Sequence, residues 1–77
     1  MRKFFTSATA FYMLGPGEVL RQADINRDFN RKYVIWHADG VWKVRHNWHH
    51  GWEDITQGDF ETENAAFNFA YEHFLRS

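Results

Sequence analysis

The sequence predicts an α+β fold, a small antiparallel sheet with a C-terminal helix packed on one face. Three observations carry this prediction. The chain ends in a capped, amphipathic stripe. An Asp-Gly pair separates two runs rich in β-branched and aromatic residues. Aromatic residues make up 19% of the 77 positions, enough to supply a core where size alone would not.

The helix is the plainest element. Thr62 is a good N-cap, because its hydroxyl can accept from an unpaired backbone N–H of the first turn. Glu63 follows, where the helix dipole favours a negative charge. Ala66, Phe67, Ala70, Tyr71 and Phe74 recur at helical spacing, so a helix is expected over 63–75 with Phe67 and Phe74 in the core. Asn64, Asn68, Glu72 and His73 fall largely off that stripe.

Before the helix, the pattern is that of a three-stranded meander over 33–38, 41–47 and 52–57. Tyr33 to His37 and Val41 to Asn47 flank Asp39-Gly40, a pair suited to a type I′ turn because both central residues there need positive φ. A two-residue turn pairs His37 with Trp42, Ile35 with Val44 and Val34 with Arg45. A four-residue 48–51 loop then pairs Asn47 with Trp52, Arg45 with Asp54 and Val44 with Ile55. Side chains alternate along a strand. One face should therefore hold Tyr33, Ile35, His37, Trp42, Val44, His46, Glu53 and Ile55, with the helix over its aliphatic centre. The other should hold Val34, Trp36, Val41, Lys43, Arg45, Trp52, Asp54 and Thr56. Gln57-Gly58-Asp59 reads as the turn into the helix.

Residues 1–32 are less legible. Phe4 to Leu14 suits a strand extending the sheet by its aromatics and threonines, or a helix with Phe4, Ala8 and Phe11 on one side. The strand is the preferred reading. Gly15-Pro16-Gly17 is a break, and Glu18 to about Phe29 fits a short helix using Val19, Leu20 and Ala23. The segment should either join the sheet or cover its second face, and the length indicates one small domain covering 1–77.

Composition narrows the function classes. With no cysteine, a disulfide scaffold and Cys-based zinc sites are excluded. The apolar run behind Met1-Arg2-Lys3 is too short for a signal peptide, and no run approaches a membrane span, so the reading is cytoplasmic with no membrane partner. The net charge of −1 hides an asymmetry: residues 1–50 carry eight Lys/Arg against four Asp/Glu, and residues 51–77 carry one against six. The two halves can attract each other within the fold, or present a bipolar surface that steers a charged partner.

His46, His49 and His50 lie close together and His46 should face Glu53, but a metal centre needs three or four convergent ligands, and solvated loop histidines are the simpler account. Asp24-x-Asn26-x-Asp28 opens like a calcium loop, yet Phe29 stands where the turn glycine belongs and Ile35 where the bidentate glutamate belongs. Ser7 and Ser77 are the serines, and no Gly-rich loop suits a phosphate. The expectation is a protein that is not an enzyme, with no cofactor and no metal.

The face carrying Trp36, Lys43, Arg45 and Trp52 is the strongest candidate for partner binding, with the His49-His50 loop beside it. Trp and Arg are typical interface anchors, and aromatics among bases can also stack nucleobases and neutralise phosphates. The strands-then-helix order over 33–75 resembles integrase arm-binding and AP2-type domains, a resemblance that implies DNA reading by the sheet. The small, aromatic-rich, cysteine-free chain also resembles in kind the compact accessory proteins of phages and mobile elements, which implies occlusion of a partner protein. The sequence reading is thus a non-enzymatic protein-binding module, an inhibitor or adaptor. The alternative is a nucleic-acid-binding domain using the sheet, and a second copy of the chain is a further candidate partner.

Overall fold

Along the chain run β1 (Arg2–Thr6), β2 (Thr9–Met13), β3 (Arg31–Ala38), β4 (Val41–Trp48), β5 (Gly51–Asp54) and α1 (Glu63–Arg76). This computed structural model describes residues 1–21, 31–48, 51–55 and 60–76. The strands form one sheet in the order β1-β2-β3-β4-β5, antiparallel except for the parallel pair β2–β3. The α+β class, with the C-terminal helix on one face of a mostly antiparallel sheet, is as expected.

The β3–β4 hairpin has the register that its turn dictates, with His37 opposite Trp42, Ile35 opposite Val44 and Val34 opposite Arg45. Asp39 and Gly40 both have positive φ, 55° and 79°, as a type I′ turn requires. In β4–β5, Asn47 faces Trp52 and Arg45 faces Asp54, and the Ile55 N–H donates to the Val44 carbonyl at 3.2 Å. Pairing also reaches Trp48 opposite Gly51, so the strands run closer to the turn than a four-residue loop allows. The expected end of the third meander strand at 57 and the Gln57-Gly58-Asp59 turn lie outside the described residues, as do His49, His50 and the Asp24-Asn26-Asp28 stretch.

The N-terminal segment is more folded than its pattern indicates. In place of one strand over Phe4 to Leu14 there is a hairpin, with Phe4 opposite Phe11. It reverses at Ser7 and Ala8, whose φ values are 46° and 60°. Neither residue is one that favours this conformation, which is why the turn gave no signal. β2 then pairs in parallel with β3, Phe11 beside Tyr33, so the intervening chain must cross back to the start of β3. A Gly15–Glu18 turn begins this crossing. Pro16 occupies its second position, Gly17 its third at φ 80°, and the Glu18 N–H donates to the Gly15 carbonyl at 3.0 Å, a type II arrangement. Residues 18–21 are not helical, and the remainder of the helix expected to about Phe29 lies outside the described residues.

The helix begins where the cap predicts, with the Ala65 N–H donating to Thr62 Oγ1 at 3.1 Å. A two-residue bridge anchors its approach: the Trp42 N–H donates to the Phe60 carbonyl at 2.8 Å. Arg2 pairs with Glu63, so at this point opposite charges of the two chain halves do meet within the fold. Ala66 and Ala70 are fully buried against Phe11, Tyr33, Ile35 and Val44, because small side chains let the helix approach the sheet closely. Phe11 is the centre of this layer. Its ring stacks on Tyr33 at 4.8 Å and meets the edges of Phe67 at 5.5 Å and Phe74 at 5.8 Å. Phe67 and Phe74 pack at the border of the core, only partly buried. His73 departs from expectation, because it turns toward the sheet, its ring against Tyr33 and His46.

A second, smaller core lies on the opposite face. Ala10, Tyr12, Leu14 and Val34 are buried there, with Leu20 and Trp36 packed beside them. The N-terminal segment therefore both joins the sheet and lays part of its crossing chain over the second face.

Candidate partner-binding groove

On the face turned from the helix, strand alternation brings Val34 and Trp36 of β3, Lys43 and Arg45 of β4, and Trp52 of β5 to one side. Of the expected binding residues, Trp36, Lys43, Arg45 and Trp52 thus share a face, while His49 and His50 lie outside the described residues. The contacts are specific. The Arg45 guanidinium lies 4.8 Å from the centre of the Trp36 ring and the Lys43 ammonium 5.9 Å, so both cations sit on one indole. The longer Lys43 approach is at the limit of a useful cation–π contact.

Trp52 stands on the edge strand with 44% of its surface exposed. Between these side chains and the 14–20 segment lies a cavity of about 630 Å³, open to solvent, with Leu14, Val19 and Leu20 on one side and Val34, Trp36 and Trp52 on the other. Val19 is 75% exposed, an apolar side chain at the mouth with little to cover it. Glu18 holds the 14–18 turn in shape by accepting the Gly15 N–H at 2.6 Å.

Two electrostatic features mark the groove. Lys3, Lys32, Lys43 and Arg45 project on this face of the sheet against the single acid Asp54. Neither Lys43 nor Arg45 has a carboxylate partner among the described residues. The Trp36 Nε1–H is buried without a hydrogen-bond acceptor among them.

A second constellation lies under the end of α1, and the sequence reading did not find it. Arg31, only 8% exposed, donates through Nε to His46 Nε2 at 3.2 Å and through Nη2 to the Tyr33 hydroxyl at 2.6 Å. His46 Nδ1 meets Glu53 Oε1 at 3.2 Å, and the Tyr33 hydroxyl meets His73 Nδ1 at 2.7 Å. Trp48 covers the Arg31 guanidinium at 4.6 Å. Burial holds His46 below the ordinary imidazole range, aided by Arg31 and His73 and opposed by Glu53. His73 is lowered by burial and by Arg31. The facing of His46 and Glu53 across β4–β5 was foreseen, but not the remainder, which joins residues 15 and 40 positions apart.

This cluster is built for structure more than for ligation. Both ring nitrogens of His46 are engaged, and no group of three or more His, Cys, Asp or Glu among the described residues could hold a metal ion. No helix among them is long and apolar enough to cross a membrane. Comparison of the chain with known protein families, curated proteins and solved structures found no match.

Proposed function

We propose that this protein is a non-enzymatic binding module that engages a partner protein through the groove around Trp36 and Trp52. The supporting observation is that Trp36, stacked under Arg45 and beside Lys43, forms one wall of a cavity whose rim carries the half-exposed Trp52. Tryptophan and arginine anchors beside an apolar hollow are what a protein contact uses to gain affinity from few residues. A module of this kind acts by occupancy, which suits an inhibitor or an adaptor.

The test is a comparison of two baits in lysate of the native host, the natural chain and the Trp52→Ala, Arg45→Glu variant. Both changed side chains are exposed, so the variant should fold, as circular dichroism would verify. Proteins retained by the natural chain and lost with the variant support the proposal; identical recovery removes the groove from it. A thirty-nucleotide single strand or duplex that binds instead, with affinity falling steeply in salt, would favour the nucleic-acid reading.

A further inference from the structure

Resting on that reading, we infer that the groove takes an acidic segment of the partner protein, an extended stretch alternating carboxylates with large apolar side chains. Two separate observations converge on this chemistry. The sheet face bears Lys3, Lys43 and Arg45 against Asp54, and Glu18 at the cavity is paired with the Met1 ammonium, so the field there is positive although the whole chain is close to neutral. Arg45 lines the cavity and is held over Trp36, with Lys43 beside it on the same face, and neither has a carboxylate partner among the described residues. A carboxylate arriving there meets a guanidinium that can donate two parallel bonds.

The second observation is the shape and lining. A hollow of about 630 Å³ between Leu14, Val19 and Leu20 and the two tryptophans has room for apolar side chains between the charged contacts. A phosphodiester strand suits this poorly, because its charges repeat at every nucleotide while the cavity wall is apolar.

The experiment titrates the isotope-labelled protein with two blocked nine-residue peptides, following the four indole N–H signals. One peptide alternates Asp and Glu with Leu and Phe; the other is its Asn and Gln counterpart. The Trp36 signal is assigned by its loss in Trp36→Phe. The acidic peptide is expected to shift that signal and to bind at least tenfold more tightly than the amide peptide. Lys43→Glu with Arg45→Glu should reverse the preference toward a Lys-rich version, and the same spectrum reports whether the variant is folded. Equal binding of the acidic and amide peptides would overturn the acidic assignment while leaving a protein-binding groove in place. A fifteen-nucleotide oligothymidine that shifts the Trp36 signal where both peptides fail would overturn the assignment and the protein reading together. Silence with every probe overturns the acidic assignment, and the two-bait comparison then judges the wider reading alone.

Discussion

The hydroxyl of Tyr33 lies 2.7 Å from Nδ1 of His73, joining the middle of the sheet to the last turns of α1. Because Arg31 donates to the same hydroxyl, the hydroxyl's own proton is free to go to His73, which then acts as a neutral acceptor. His46 likewise accepts from Arg31 at Nε2, which puts its proton on Nδ1, facing Glu53. A buried guanidinium is thereby solvated by one uncharged imidazole and a phenol, with His73 behind the phenol. Its positive charge is what both imidazoles would have to share a site with if protonated.

Stability should therefore depend on pH in one direction. His46 and His73 lie below the ordinary histidine range in the fold, while in the unfolded chain they return to about 6.5. Between the two values the unfolded chain binds more protons, so stability rises with pH. It should be fully present above neutrality and fall as pH drops through about 6.5, by at most about 1.4 kcal/mol per pH unit for each histidine. Urea unfolding at pH 7.5 and 5.5 measures the difference. His73→Phe should flatten it; an unchanged slope would mean that His73 titrates in the fold as it does in the open chain.

Core truncations should rank by position in the aromatic layer. Phe11 is wholly buried and touches Phe4, Tyr33, Phe67, Tyr71 and Phe74, so Phe11→Ala should cost about 3–5 kcal/mol. That approaches the whole stability of a domain this small. Phe67→Ala and Phe74→Ala should cost distinctly less, because each ring is only partly buried. Thermal melts of the three variants give the order, and a Phe67 loss equal to that of Phe11 would contradict the packing.

The two tight hairpins respond oppositely to substitution. Gly40→Val places a β-branched residue at φ 79° and should be strongly destabilising. At the other turn, Ser7→Asn with Ala8→Gly gives the positive φ values residues that tolerate them, and should stabilise by about 1 kcal/mol. Calorimetric melting temperatures should move down for the first and up for the second.

These turns also explain how much of the fold was legible. Asp39-Gly40 announces its own conformation, and strand alternation from that point correctly places Val34, Trp36, Lys43, Arg45 and Trp52 on one face. Ser7 and Ala8 announce nothing, so the first hairpin was hidden. The β2–β3 pairing depends on a crossing of the chain that leaves no periodic trace. His73 was misplaced for a related reason. The hydrophobic stripe identifies which helical residues are apolar, not which polar residue finds a buried partner 40 positions away. The groove was half legible: its floor follows from alternation, while the 14–20 wall is set by tertiary packing.

The unpaired indole gives the last expectation. Trp36→Phe keeps an aromatic body beside Val34 and under Arg45, and removes an N–H that is buried without an acceptor among the described residues. Deleting an unsatisfied polar group recovers its desolvation penalty, on the order of 1–3 kcal/mol, which offsets the packing lost with the smaller ring. The net change should lie within about 1 kcal/mol of zero. Trp36→Ala should be clearly destabilising, since it empties a partly buried site beside the smaller core. Trp52→Ala, at an exposed edge, should be close to neutral. Urea midpoints for the three variants decide it. A loss above about 2 kcal/mol for Trp36→Phe would mean that the full indole is needed at this site, by its packing or by an acceptor for its N–H.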